Sequence, residues 1–302
     1  MEVICQGLPA FWINGWLAAV GATVLDDRIR LHWTTSDHLA VLSAADCDPV
    51  AALVESWPSK ELLEDLPIAE QWQGAGVLQR KVPVTAFQER VRVARKHGNA
   101  HLWTLSSTMT DLSLDKNGEV AHAPFDPSGP GTIKWLHHRL SRAHAHVRQP
   151  SAQRIRASLT GEAPRVQDNG LGFDPARIGS QADKTDAYTD PVVEVMVFFG
   201  LSLLPMRGRG VDGSPASRIY ADGRRQRGWR RPAGSRGAPR FHWPAWSQPL
   251  NVDGIDALLD QWNPDKQRRW WSPLGVHAAW LSARYEALST SDPTKAYGSE
   301  RL

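Results

Sequence analysis

Ten arginines fall between residues 207 and 240: Arg207, Arg209, Arg218, Arg224, Arg225, Arg227, Arg230, Arg231, Arg236 and Arg240. Only Asp212 and Asp222 oppose them, so this stretch carries about +8 while the whole chain carries +3. The remainder of the chain is therefore net acidic. Charge this concentrated repels itself, and a phosphate-rich partner relieves the repulsion; a guanidinium also forks onto phosphate and stacks on bases. Trp229 sits inside the run beside Arg230 and Arg231, and Trp243 and Trp246 follow it. Aromatic faces interleaved with cations suit a single strand or insertion into a groove. The competing readings are a solvated basic loop for the run and a buried edge strand for Trp243 and Trp246.

A second source of cations is the stretch 132–147, which has no acidic residue and carries Lys134, Arg139, Arg142 and four histidines. With 152–159, which holds Arg154 and Arg156, it forms a basic helix pair able to meet phosphate or solvent. His144 and His146 point to different helix faces. His137 and His144 share a face, but no nearby Cys, Asp or Glu completes a ligand set, so no metal site is expected. Gly129-Pro130-Gly131 precedes Lys134 without phosphate-loop spacing, and Pro130 lacks an amide such a cradle needs; the loop could still hold a backbone phosphate. Asp168, Asp174, Asp183, Asp186 and Asp190 offer carboxylates for a metal-dependent nuclease, though Asp174-Pro175 and Asp190-Pro191 read as turn and cap. No nucleophile elbow or reactive-cysteine context occurs, so no catalytic residue and no cofactor is expected. Cys5 and Cys47 are too few for a disulfide framework and fit a reducing compartment.

These groups need elements to position them. Residues 2–6 read as a strand, and 10–20 as an apolar helix with Trp12 and Trp16 one turn apart on one face. The alternation in 28–33 predicts a half-buried strand. Asp48-Pro49 opens a helix through Trp57, with Asp48 as its cap. Residues 60–73 are amphipathic and 85–97 form a basic helix. Asn117-Gly118 signals a hairpin between 112–115 and 119–122. The connection 161–190 is acidic, and Asp190-Pro191 caps an apolar helix over 192–203. Beyond the arginine run, short β-like pieces fall at 217–220 and 240–243, 253–262 is an amphipathic helix, helix is expected onward to about residue 288, and the last dozen residues read as a frayed tail.

With 41% apolar residues in 302, the chain can bury a substantial core. Its most apolar stretch, 192–205, is too short to span a bilayer and contains Glu194, so no membrane partner is expected. No charged-then-apolar leader opens it, which points to a cytoplasmic protein. The expected fold is α+β: mixed helices with short antiparallel strands and hairpins, and a long basic loop inserted after residue 205. The expected division is an N-terminal α+β domain over 1–125, a basic, helical and loop-rich domain over 126–290, and a tail over 291–302.

One block has a family look. Leu171-Gly172-Phe173-Asp174-Pro175-Ala176-Arg177, an acidic loop, then Asp190-Pro191-Val192-Val193-Glu194 leading into Gly200-Leu201-Ser202-Leu203-Leu204-Pro205 resembles a block in large-subunit-like proteins of type I-G (formerly I-U) CRISPR effectors. Asp111 to Asp115, Thr132-Ile133-Lys134-Trp135 and Phe241-His242-Trp243-Pro244-Ala245-Trp246 flank it similarly. The opening Gly7-Leu8-Pro9 to Gly21 resembles the helix that begins such subunits. The resemblance covers about two-thirds of the chain in outline. It implies a non-catalytic subunit of an RNA-guided surveillance complex, with guide RNA, target DNA and the other effector subunits as partners. Such subunits sit near one end of the guide, read a target-flanking duplex motif, hold the displaced strand and recruit a helicase-nuclease. Large subunits usually add a C-terminal helical bundle, whereas about 50 residues follow the matching region here. Either a separate polypeptide supplies that bundle or this is a reduced member. Nucleic-acid contacts are expected from Lys134, Arg139, Arg142, Arg207, Arg209, Arg224, Arg225, Arg227, Trp229, Arg230, Arg231 and Arg236. The alternatives are a nuclease on the 168–190 carboxylates and a scaffold that docks an acidic protein.

Overall fold

The computed structural model describes residues 1–66, 81–97, 109–114, 117–122, 133–168, 170–175, 188–204, 228–230, 240–285 and 296–302. In chain order the strands and α-helices are β1 (Glu2–Pro9), α1 (Ile13–Leu25), β2 (Arg30–Trp33), β3 (Leu39–Ser43), α2 (Pro49–Glu55), α3 (Lys60–Asp65), β4 (Lys81–Pro83), α4 (Val84–Ala94), β5 (Met109–Leu114) and β6 (Glu119–His122). They continue with α5 (Ile133–His146), α6 (Ala152–Thr160), β7 (Val166–Gln167), β8 (Tyr188–Thr189), α7 (Pro191–Gly200), β9 (Trp229–Arg230), β10 (Arg240–Trp246), α8 (Val252–Gln261), β11 (Val276–Tyr285) and β12 (Ala296–Arg301). The fold is α+β, and among the described residues every strand pairing is antiparallel: β1-β3-β2, β12-β11-β10-β9, β4-β6-β5 and β7-β8.

Two apolar helices organise the core. Every residue of α1 and of α7 is buried, as helices that are hydrophobic all round must be. They pack against each other through glycine. A methyl at Gly21 would overlap the Met196 carbonyl, and one at Gly200 would overlap that of Leu17. The two backbones therefore touch where any side chain would hold them apart. Polar groups mark the helix starts: Asp48 accepts from the Val50 amide (3.0 Å), Ser59 from Leu62 (3.1 Å), Ser151 from Arg154 (3.1 Å), Asp190 from Val192 (3.0 Å) and Asn251 from Gly254 (3.1 Å).

Residues on both sides of position 125 share this core. Indole N–H groups join its distant parts. Trp16 Nε1 donates to the Pro244 carbonyl (2.8 Å), Trp243 Nε1 to Ala10 (2.7 Å), Trp246 Nε1 to Leu31 (2.9 Å) and Trp57 Nε1 to Val147 (2.8 Å). Leu31 and Leu250 exchange backbone hydrogen bonds, tying β2 to the segment after β10.

Three local expectations change. Trp12 precedes α1 in extended backbone, so it does not share a helix face with Trp16, which meets Phe241 edge to face (6.1 Å between ring centroids). The helix expected beyond residue 270 is β11, because pairing with β10 and β12 outweighs the helix propensity of its alanines, Leu281 and Arg284. Within the expected frayed tail, Ala296–Arg301 is β12, since its backbone groups find partners along β11 from Trp280 to Tyr285.

Candidate nucleic-acid interface

Of the twelve residues proposed to meet nucleic acid, Arg207, Arg209, Arg224, Arg225, Arg227, Arg231 and Arg236 lie outside the described residues, as do the glycine loop at 129–131 and the β-like piece at 217–220. For Lys134, Trp229 and Arg230 the backbone alone is described. Lys134 lies in the first turn of α5, and Trp229 and Arg230 form β9, pairing with Phe241 and Arg240. The arginine run is thus anchored to a sheet at its C-terminal end. Arg240 itself reaches Glu300 of β12 (3.1 Å).

Several arginines of the basic helix pair make ion pairs within the protein. Arg139 is half-buried. Arg142 lies 2.9 Å from Asp168, whose carboxylate is almost fully buried and also accepts the Gly170 amide (2.8 Å). Arg154 pairs with Asp190 (3.1 Å), and Arg156 with Asp48 (2.7 Å). Arg165 holds Asp174 (3.0 Å) and also donates to the Tyr188 carbonyl (3.1 Å). The acidic connection thus pairs with two of the helix arginines, Arg142 and Arg154, and with its own Arg165. The two charge runs are consecutive in sequence, and the fold turns the acidic one back onto the basic helices.

Two of the four histidines of α5 face inward. His137 Nε2 is 2.9 Å from the Leu63 carbonyl and His144 Nε2 is 2.8 Å from that of Pro58, both buried; burial holds the His144 pKa below the usual histidine range. His138 and His146 are exposed. In α4, Arg90 is buried, and burial lowers its pKa. Arg92 pairs with Glu89 (2.6 Å), while Lys96 and His97 reach Asp65 (2.7 and 2.6 Å).

The block that carries the family resemblance is a structural clasp around α7. Glu194, buried within that helix, accepts the Leu171 amide (2.5 Å). A methyl on Gly170 would lie 2.5 Å from the same carboxylate, and Gly170 adopts φ +51°, a left-handed conformation suited to glycine. Leu171 and Phe173 are fully buried beside it. Three of the carboxylates considered for a nuclease centre are held in this way: Asp168 by Arg142, Asp174 by Arg165, and Asp190 by Arg154 and the α7 cap. Asp183 and Asp186 lie outside the described residues. Among the described residues, no group of three or more His, Cys, Asp or Glu is placed to hold a metal ion. Cys5 is buried, and burial pushes its thiol up to about 12, so it carries no thiolate at neutral pH.

Trp243 and Trp246 belong to the core. Both are completely buried on β10, an interior strand of its sheet. One surface was missed in the sequence. In Lys266-Gln267-Arg268-Arg269-Trp270 every residue is exposed, and Trp270 is 59% exposed. The signal for it was present, a basic run ending in tryptophan, but expecting a helix there concealed which of Trp270 and Trp271 faces out.

No family model, curated protein or solved structure matches this chain.

Proposed function

We propose that this chain is a non-catalytic nucleic-acid-binding subunit of an RNA-guided CRISPR surveillance complex. It contacts the guide-RNA end, the target-flanking duplex motif or the displaced strand, and helps recruit a helicase-nuclease. The observation that carries this reading is the contrast in charge compensation. Arg28, Arg92, Arg142, Arg154, Arg156 and Arg165, all outside the run, each lie against a carboxylate, and within the run Arg240 lies against Glu300. The stretch 207–240 has ten arginines and two aspartates, too few to compensate it from within. Polyanionic backbone is the partner that supplies the missing charge. The resemblance to CRISPR large subunits supports the assembly in which this contact is made. Among the described residues no helix is long and apolar enough to cross a membrane.

The nuclease alternative is disfavoured by the pairing of Asp168, Asp174 and Asp190, since a metal would have to displace three arginines. Incubation with DNA or RNA and Mg²⁺ or Mn²⁺ tests it directly, and cleavage lost on Asp174→Ala would establish it. The scaffold alternative predicts a native complex that purifies without nucleic acid. For the proposed function, Arg224, Arg225, Arg230 and Arg231 are reversed to glutamate together, and duplex and guide-RNA binding are measured at two salt concentrations. Neutralising four phosphate contacts lowers the slope of log K against log salt by about 3 to 4 for duplex DNA. An unchanged affinity and slope would remove the run from the interface.

A further inference from the structure

We infer that the turn Lys266–Trp270 is a second nucleic-acid contact, a stacking station on which a base of a single strand rests on Trp270 while Arg268, Arg269 and Lys266 meet its flanking phosphates. This rests on the proposed function but concerns a surface separate from the arginine run. Two 3₁₀ turns, Arg268–Trp270 and Ser272–Leu274, display the indole. They are closed by the Trp270 amide on the Gln267 carbonyl (2.9 Å), Trp271 on Arg268 (2.9 Å) and Leu274 on Trp271 (2.9 Å), with Gly275 at φ +70° ending the second.

Neighbouring tryptophans divide the work. Trp271 is buried, donates Nε1 to the Asn263 carbonyl (3.1 Å) and packs on Trp262 (5.7 Å), which anchors the turn. Trp270 is left outside, its ring 5.8 Å from the Arg269 guanidinium carbon. Arg268 donates to the Leu302 carbonyl, next to the exposed Arg301. Asp265 is the single acidic residue from 265 to 270.

A single strand repeats one planar face and one phosphate per nucleotide, and so satisfies both the indole and the guanidiniums. An acidic protein surface would answer only the charges. The surface is also distinct in position. Arg240 pairs with Arg230 at one end of β10, whereas Trp246 pairs with Val276, just beyond the turn, at the other. Six residues of strand separate the two ends by about 20 Å.

The test is binding of single-stranded oligothymidylate and guide RNA by the full chain and its Trp270→Ala, Trp270→Phe and Arg268→Gln/Arg269→Gln forms, with photo-cross-linking to 5-iodouracil-substituted strands mapped by mass spectrometry. Trp270→Ala is expected to weaken binding roughly 5- to 100-fold, Trp270→Phe to restore much of it, and the cross-link to fall on Trp270. Unfolding curves check that the fold is unchanged, as the exposure of the residue leads one to expect. If the wild type binds, the arginine reversal abolishes binding and Trp270→Ala has no effect, this inference fails and the proposed function stands. If the wild type binds no nucleic acid, both fail. Cross-links from Trp270 to another polypeptide in the native complex would also overturn it, making the turn a protein contact.

Discussion

The Arg142 guanidinium lies 2.9 Å from the Asp168 carboxylate, an exposed cation closing over a buried anion that sits 26 positions later in the chain. Asp168 also receives the Gly170 amide, so the pair fastens α5 to the loop that clasps Glu194. Arg142→Gln is expected to destabilise the fold by about 2 kcal/mol, because it leaves the buried Asp168 carboxylate without its cation. Adding Asp168→Asn should recover part of the loss. Urea denaturation of the two single variants and the double variant measures the coupling. Equal stability of Arg142→Gln and wild type would show that the pair contributes nothing.

The α1–α7 crossing allows no added volume. Gly21→Ala or Gly200→Ala is expected to cost about 3 kcal/mol, because the new methyl meets a carbonyl of the opposite helix and not the end of a flexible side chain. A midpoint of denaturation shifted by less than a few tenths of a molar in urea would contradict the close approach of the two backbones.

Trp243→Phe separates structure from binding. It keeps an aromatic ring beside Phe241 (5.7 Å between centroids) but deletes the N–H that satisfies the Ala10 carbonyl. The expected loss is about 1 to 3 kcal/mol of stability, with nucleic-acid affinity unchanged once the protein is folded. Thermal unfolding and a binding titration read the two effects separately; weakened binding by a fully folded variant would reopen a contact role.

Acid should loosen the fold in two stages. Burial holds the pKa of His38, His144 and His277 below the usual value, and the nearby Arg301 reinforces this at His38 and His277, whose rings stack 5.4 Å apart. Below about 6.5 the unfolded chain takes up protons that these folded rings refuse, so stability falls as pH drops, until the folded rings protonate too. His277→Gln should flatten that slope. Asp26 adds the second stage: burial raises its pKa, but hydrogen bonds from Arg28 and Ser56 outweigh this and hold it below the carboxylate norm. Its contribution is present above about 4 and is lost as pH falls through the folded value. Chemical denaturation across the pH range follows both stages. Stability that stays level from neutral pH to about 5 would remove the histidine stage.

Much of the local architecture could be read from local chemistry. Asp48 and Asp190 cap the helices they precede, and Asn117-Gly118 turns β5 into β6 with Gly118 at φ +75°. The alternation around Arg30 to Trp33 became β2 with Leu31 and Trp33 inward. Each of these signals lies within a few residues of its effect, where backbone sterics and side-chain hydrogen bonds act directly. Val276–Tyr285 was illegible by the same logic, because its neighbours β10 and β12 come from other parts of the chain.

By itself the amino-acid order determined the α+β class, the positions of caps and turns, the apolar character of α1 and α7, and the concentration of arginine between 207 and 240. Tertiary structure alone decided which cations are spent inside the protein and which tryptophan faces out. Arg142 and Arg154 stand in a basic helix pair, and only the fold shows Asp168 and Asp190 against them; Trp270 looks like Trp271 until one is buried. The reason is that charge pairing and burial depend on distance in space, and only the packing of α5, α6 and α7 and the turn before β11 sets those distances.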